Sequence, residues 1–192
     1  RLSQAFTSNR EVLIGDSRFQ TRYLDVMCDR RSRGGMFQIQ YPWPSANRAT
    51  LGIDNGQLIA IVGRPGDGKT TLTIFMLCHF YPMVDGKIIV VSNEIIAISV
   101  TDRIIATALK VPYADIRAGN IHDDEIVSAL EQYQDKPIVV LDSEMLGAGT
   151  IDTIKAKAKQ EKAKLLIIDG AYLMKATGKD MYASAAAISQ DL

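Results

Sequence analysis

The feature that most constrains this chain is a glycine-rich run that lies between two apolar segments. A mostly apolar, strand-like segment occupies residues 57–62, and residues 72–80 form an apolar segment of helical composition. The run between them consists of Gly63, Arg64, Pro65, Gly66, Asp67, Gly68, Lys69, Thr70 and Thr71. This spacing, with a strand before it and a helix after it, is typical of a loop that binds phosphates. The sequence therefore predicts a site for a nucleoside triphosphate, and a glycine-rich turn without a ligand is the disfavoured alternative.

The residue types in the run suit this chemistry. The glycines let the backbone turn tightly, so that several N–H groups point at one anion in front of a helix N-terminus. Lys69 adds a positive charge for the outer phosphates, and Thr70 offers a hydroxyl oxygen to a Mg²⁺ ion that bridges them. Thr71 is expected to cap or support the helix. The predicted ligands are ATP and Mg²⁺.

Composition favours a folded domain in an aqueous, reducing compartment. The 192 residues are 47% hydrophobic and 23% charged, which is ordinary for a globular protein. The 22 basic residues balance 22 acidic ones, so the net charge predicts no general attraction to nucleic acid or to acidic membranes. Cys28 and Cys78 lack metal-ligand spacing and are expected to be reduced thiols. The sequence shows no apolar run of the roughly 20 residues that a membrane span needs, and no signal-peptide pattern.

Short apolar runs alternate with helical patterns along most of the chain. The runs at 58–62, 88–91, 138–141 and 165–168 are mostly β-branched and predict buried strands. Helices are predicted at 17–31, 70–80, 101–110, 123–132 and 150–162, with a proline-containing loop at 41–44. This alternation predicts an α/β fold with a mostly parallel sheet and helices on both faces. Functional residues should then lie where the strands end.

Carboxylates follow three of the four predicted strands. Glu94 follows the second strand, Asp142 and Glu144 follow the third, and Asp169 follows the fourth. ATP hydrolysis needs one acid near the magnesium ion and another that orients the attacking water. The pattern of four apolar residues before an aspartate does not separate Asp142 from Asp169. The position of Glu94 at a strand end is weak evidence for a base, and Glu144 has a spacing that is common for a catalytic glutamate.

With these motifs in place, residues 35–192 resemble the ATPase core of the DnaB-type replicative DNA helicases, a branch of the RecA-like fold. Five groups in matching order carry the resemblance: Gly63-Arg64-Pro65, Ser92-Asn93-Glu94, Val111-Pro112, Arg117-Ala118-Gly119, and an acid-tipped strand leading to Leu173-Met174. Departures occur at Ile95, where the family often has methionine, and at 170–172, as in divergent phage-encoded members. These departures leave the charged groups intact.

The resemblance implies roles for individual residues. It implies that Glu94 is the catalytic base, that Lys69 stabilises charge on the phosphates, and that Asp169 and Thr70 hold the magnesium ion. Asp142 would then be structural. The resemblance also implies single-stranded DNA as a partner, a homo-oligomer that is a hexameric ring, and a bacterial or phage-infected host cytoplasm as the location.

The resemblance also suggests two domains. Residues 1–35 would form a linker or oligomerisation helix and loop, and residues 36–192 a RecA-like ATPase domain that is incomplete at its C-terminus. The DNA-binding loops, phosphate sensor and arginine finger of family members are expected beyond residue 192. The stripe of Phe19, Tyr23 and Met27 would dock on another protomer or fold back on its own domain.

Two basic groups are candidates for contacts with nucleic acid, although solvated surface charge is the favoured interpretation of both. They are Arg30, Arg31 and Arg33, and Lys155, Lys157, Lys159, Lys162 and Lys164. Two other functions remain open alongside the helicase motor. One is a RecA- or RadA-like recombination ATPase, and the other is a nucleotide-dependent regulatory or scaffold ATPase that does not translocate.

Overall fold

The computed structural model describes residues 14–146 and 150–174, of which residue 146 by its backbone alone. The chain forms two compact units that divide between Gln57 and Leu58. The boundary expected between residues 35 and 36 stays a prediction. Residues 175–192 of the predicted ATPase domain lie outside the described residues.

The first unit contains two helices. Helix α1 spans Ser17–Ser32, and the Asp16 carboxylate caps it by accepting hydrogen bonds from the N–H groups of Arg18 and Phe19. Helix α2 spans Pro44–Thr50, and an antiparallel bridge joins Ile39 to Ile53. The prediction of α1 is confirmed. The loop predicted at 41–44 is wrong at its last residue, because Pro44 begins α2. Pro44 occupies the first turn of α2, where the missing N–H of proline costs nothing.

The second unit contains the sheet and the remaining described helices. Its strands are β1 Ile88–Ser92, β2 Ile138–Asp142 and β3 Leu165–Asp169. Its helices are α3 Lys69–Phe80, α4 Ala97–Leu109, α5 Tyr113–Ala118, α6 Asp123–Glu131, α7 Ser143–Leu146 and α8 Ile151–Gln160, with 3₁₀ turns at Tyr81–Met83 and Ala171–Leu173. No helix in the described ranges combines the length and the hydropathy that crossing a bilayer requires.

The sheet positions the candidate site. Its strands are parallel and stand in the order β2-β1-β3. The register aligns Ser92 with both Asp142 and Asp169, so the carboxyl ends of the strands lie level at one edge. All five residues of β1 are buried, as expected for a central strand with hydrogen-bonded neighbours on both sides. The predicted parallel α/β arrangement is therefore confirmed for these strands.

The prediction of a strand at 58–62, the first of the four in chain order, is wrong for the described structure. These residues belong to no strand, and Leu58, Ile59 and Val62 expose 54%, 38% and 90% of their surface. A strand needs a neighbour to take up its N–H and C=O groups, and no described strand pairs with this segment. An apolar run shows that a segment can be buried. It does not show whether a neighbouring strand is present to pair with it.

Candidate nucleotide-binding site

The glycine-rich loop leads directly into a helix. Gly68 has φ +83°, a left-handed conformation that favours glycine, and Lys69 is the first residue of α3. No side chain caps the start of α3. The free N–H groups of this first turn and the helix dipole make it a suitable place for an anion.

Hydrogen bonds within the loop fix its shape. The Asp67 carboxylate accepts from the Arg64 N–H at 2.7 Å, and the Asp67 N–H donates to the Arg64 carbonyl at 3.2 Å. The Lys69 ammonium donates to the same carbonyl at 3.0 Å. Lys69 is thereby held against the loop that the sequence predicts to bind phosphate.

The structure brings Thr70 and Asp169 together. The Thr70 hydroxyl donates to the Asp169 carboxylate at 2.8 Å, although the two residues are 99 positions apart in the chain. A hydroxyl and a carboxylate are hard oxygen ligands of the kind that Mg²⁺ prefers. The described residues contain no cluster of three or more His, Cys, Asp or Glu side chains that could hold a metal by themselves. This donor set fits Mg²⁺, which keeps several waters and takes its other ligands from substrate phosphates.

Asp142 has different surroundings. It is 4% exposed, and its carboxylate accepts hydrogen bonds from the backbone N–H groups of Ala97, Met145 and Glu144 at 2.9, 3.0 and 3.1 Å. The hydrogen bond from the Ala97 N–H, followed by that from Met145, lowers the pKa of this carboxyl below its usual value. Asp142 therefore connects the end of β2 to the first turns of α4 and α7.

The Glu94 loop is attached to the end of β3. Beyond the last paired residues, the Asn93 N–H donates to the Asp169 carbonyl at 3.1 Å, and the Asn93 side-chain amide donates to the Gly170 carbonyl at 3.3 Å. Glu94 lies directly over Gly170, because a Cβ added to Gly170 would meet the Glu94 Cγ at 2.8 Å. Glu144 lies on α7, which follows β2 directly after Asp142.

Two residues near the proposed site were not singled out as site residues from the sequence, and Tyr172 is the first. It stands on the 3₁₀ turn that follows Asp169 and Gly170. The neighbouring Glu94 carboxylate, and then partial desolvation and the charge of Asp169, raise the pKa of Tyr172. A glycine directly after an acid-tipped strand was the available signal, since it marks a place where the backbone turns sharply.

Arg103 is the second residue that was missed. Its guanidinium lies over the Tyr113 ring at 4.3 Å, and its Nη1 lies 3.5 Å from the Thr71 hydroxyl. Thr71 therefore contacts α4 through Arg103, which suits the supporting role expected for it.

Several of the basic candidates for nucleic-acid contacts are in ion pairs. Arg30 pairs with Asp54 at 3.2 Å, and Arg33 pairs with Asp29. Glu161 accepts from Lys87 at 2.6 Å and from Lys157 at 2.9 Å, and these hydrogen bonds, that of Lys87 first, lower the pKa of Glu161 to about 2. These surface ion pairs are at least as consistent with solvated charge as with contacts to nucleic-acid phosphates.

Known proteins share both the sequence pattern and the fold. A family model described as the DnaB-like helicase C-terminal domain matches residues 40–192. The replicative DNA helicase DnaB of Buchnera aphidicola subsp. Schizaphis graminum is 28% identical over 91 residues, which are 47% of this chain and 20% of the relative. This chain thus matches about a fifth of that protein.

Two solved structures resemble this fold. One, described as an ATPase domain, superposes with a TM-score of 0.74 at 20% identity, over 92% of this chain and 66% of that one. The other, a DnaB-like replicative helicase described with its interactions with primase, superposes with a TM-score of 0.75 at 19% identity, over 93% of this chain and 45% of that one. At these identities the superpositions establish the fold, which is that of RecA-like ATPase domains, and the match to the family model extends over most of the chain. The chain therefore belongs to the family of DnaB-like helicase C-terminal domains.

Proposed function

We propose that this chain is the ATP-driven motor domain of a replicative DNA helicase, in which ATP hydrolysis is coupled to translocation of single-stranded DNA through a hexameric ring. The observation that carries the proposal is the 2.8 Å hydrogen bond between Thr70 and Asp169. It joins the phosphate-binding loop to the acidic end of a strand, which is the arrangement that MgATP requires. Membership of the DnaB-like family supports the same function.

In this proposal the loop and the first turn of α3 bind the triphosphate. Backbone N–H groups of residues 63–71 surround the phosphates, and Lys69 exchanges the Arg64 carbonyl for phosphate oxygens. Thr70 and Asp169 are the residues that would hold Mg²⁺, directly and through water. When bound, the ion neutralises charge that develops on the β- and γ-phosphates.

Glu94 is the proposed general base. A water attacks the γ-phosphorus, the bond from that phosphorus to the β-γ bridging oxygen breaks, and the proton of the water passes to the Glu94 carboxylate. The products are ADP and inorganic phosphate. The contact between Glu94 and Gly170, beside Asp169, supports Glu94 over Glu144 for this role.

Assembly into a ring would use α1. None of the residues of α1 is buried, the rings of Phe19 and Tyr23 stack with centroids 6.0 Å apart, and Leu24 is 63% exposed. An apolar helical stripe of this kind is suited to burial against another protomer. Sedimentation of the full-length protein would test the ring, and a monomer at micromolar concentration would contradict it. A cytoplasmic location, where ATP and replicating DNA occur, is part of the same proposal.

The test of the chemistry is Glu94→Gln in the full-length protein. We expect the affinity for a fluorescent ATP analogue to be kept, whereas turnover falls by about two to four orders of magnitude because the water loses its base. Lys69→Ala is the companion variant and should abolish nucleotide binding. Unchanged turnover in Glu94→Gln would reject this base, and tight binding by Lys69→Ala would reject the loop as the nucleotide site.

Stimulation by DNA separates the helicase from the other ATPases. A motor that translocates should hydrolyse ATP faster when single-stranded DNA is added at low salt and should unwind a forked duplex. Filaments on DNA without unwinding would favour a recombination ATPase. Absence of any response to DNA would favour a regulatory ATPase.

A further inference from the structure

We propose that Asp67 is a positioning residue of the nucleotide site, whose side chain holds the glycine-rich loop in its binding shape before a nucleotide arrives. Asp67 acts on the loop and does not contact the nucleotide. This inference rests on the proposed function, because it concerns how the loop is prepared to bind a triphosphate. The observations that carry it are the hydrogen bonds that join Asp67 and Lys69 to Arg64.

Asp67 binds Arg64 through both its side chain and its backbone. Its carboxylate accepts a hydrogen bond from the Arg64 N–H at 2.7 Å, and its N–H donates to the Arg64 carbonyl at 3.2 Å. Pro65 and Gly66 lie between them, and Gly66 has a φ of +86°. Proline followed by a left-handed glycine suits a type II turn, which the backbone hydrogen bond closes. The carboxylate closes the same turn a second time.

The Asp67 side chain also lies against the start of the loop. A Cβ added to Gly63 would lie 3.3 Å from Asp67 Oδ2, 3.4 Å from Asp67 Cβ and 3.6 Å from Lys69 Cγ. The Arg64 carbonyl, which accepts from the Asp67 N–H, also accepts from the Lys69 ammonium at 3.0 Å. Asp67 therefore connects the shape of the turn to the position of the lysine that is proposed to bind phosphate.

The charge of Asp67 argues against a direct contact with the phosphates. A carboxylate repels a triphosphate, whereas N–H groups and an ammonium attract it. The Arg64 N–H gives the carboxylate a partner within the loop. In the described part of the chain, no hydrogen bond engages the N–H groups of Gly66 and Gly68, so these remain available to phosphate oxygens.

A loop that is ordered in advance should bind faster. Residues 62–68 are all exposed, so water competes for their hydrogen bonds, and the loss of one lets the loop populate other shapes. The apparent Kd then rises in proportion as the binding shape becomes less populated. Because this cost is met before the nucleotide binds, we expect it to lower the association rate constant.

The test compares Asp67→Ala with Asp67→Asn in the full-length protein, by stopped-flow binding of a fluorescent ADP analogue. Both variants lack the negative charge, but the asparagine side chain keeps an oxygen that accepts from the Arg64 N–H. We expect the Kd of Asp67→Ala to be about 5-fold higher than that of Asp67→Asn, through a lower association rate constant. The Tm of the two variants should agree within about 2 °C, because the loop is exposed.

Asp85→Ala and Asp85→Asn are the matched controls, because Asp85 is an exposed aspartate outside the loop. They should bind the analogue with equal Kd. Equal Kd values for the two Asp67 variants would overturn the inference. A difference carried by the dissociation rate constant alone would also overturn it, because the side chain would then contact the bound nucleotide.

The failure of this inference can be told apart from that of the proposed function. If Lys69→Ala keeps tight binding, the loop is not the nucleotide site and the role of Asp67 falls with it. If Lys69→Ala loses binding but the two Asp67 variants bind alike, only the positioning role is wrong.

Discussion

Asp142 and Asp169 end the two strands that flank β1, and yet their surroundings have little in common. Each follows four apolar residues, and the register places both level with Ser92. Asp169 accepts a hydrogen bond from the Thr70 hydroxyl, whereas Asp142 accepts three from backbone N–H groups of two helices. The difference shows that the hydrogen-bond donors around a strand-end carboxylate distinguish it, and that its position after an apolar run does not. These surroundings favour a structural role for Asp142 and agree with the proposed role of Asp169 beside the magnesium ion.

The sharpest test of this comparison is turnover. Asp169→Asn should lower kcat by about 100-fold or more, because the charge near the proposed magnesium position is lost while the shape is kept. Asp142→Asn is the matched variant and should keep kcat within about 3-fold, because Asp142 touches no proposed catalytic group. Steady-state hydrolysis by the full-length proteins provides the measurement. A larger loss in Asp142→Asn than in Asp169→Asn would reverse the assignment.

The second test is thermal stability. Here we expect the larger effect at Asp142 and the smaller effect at Asp169. Asp142→Ala leaves three backbone N–H groups without their acceptor, so we expect its Tm to fall by roughly 5 °C or more. Asp169→Asn still offers an acceptor oxygen to Thr70 and should stay within about 2 °C of the wild type. Thermal unfolding followed by circular dichroism would show this. A wild-type Tm in Asp142→Ala would mean that its hydrogen bonds contribute nothing net to folding.

The smallest effect is on the pH dependence of stability. The pKa of Asp142 is lowered in the folded protein, so the carboxylate contributes stability that is present above its unfolded pKa and is lost as the pH falls through the folded value. Asp142→Asn lacks this ionisation, so its urea midpoint should fall less steeply than that of the wild type below about pH 4. Parallel curves for the two proteins would show that other carboxylates account for acid unfolding. Glu161, with its pKa of about 2, contributes in the same direction in both proteins and therefore cancels.

Much of the sheet and its edge could be predicted from the sequence. The runs at 88–91, 138–141 and 165–168 are apolar throughout, as is typical of parallel strands covered on both faces, and all three appear within a residue of the expected ends. Parallel strands place their carboxyl ends together, so the level positions of Asp142 and Asp169 beside Ser92 follow from topology. The run at 58–62 has the same composition, but composition does not show whether a neighbouring strand is present to pair with it.

Other parts of the site depend on contacts that no local pattern contains. Helix α4 begins at Ala97, four residues before the expected start, because a carboxylate 45 positions away caps it. Tyr172 becomes part of the site only through a left-handed glycine and a single 3₁₀ turn. Asp142 and Asp169 could not be distinguished by pattern, since the Ala97 N–H that reaches Asp142 and the Thr70 hydroxyl that reaches Asp169 come from distant segments.

The complete burial of β1 predicts how slowly its backbone amides exchange with deuterium. Its amides are hydrogen-bonded to a strand on each side, so they should exchange with deuterium only when the whole unit unfolds, while the amides of the largely exposed residues 58–62 should exchange within seconds. Glu94 lies only two residues beyond the end of this buried strand. We therefore expect slow exchange directly before the proposed base and fast exchange in the segment that precedes the glycine-rich loop.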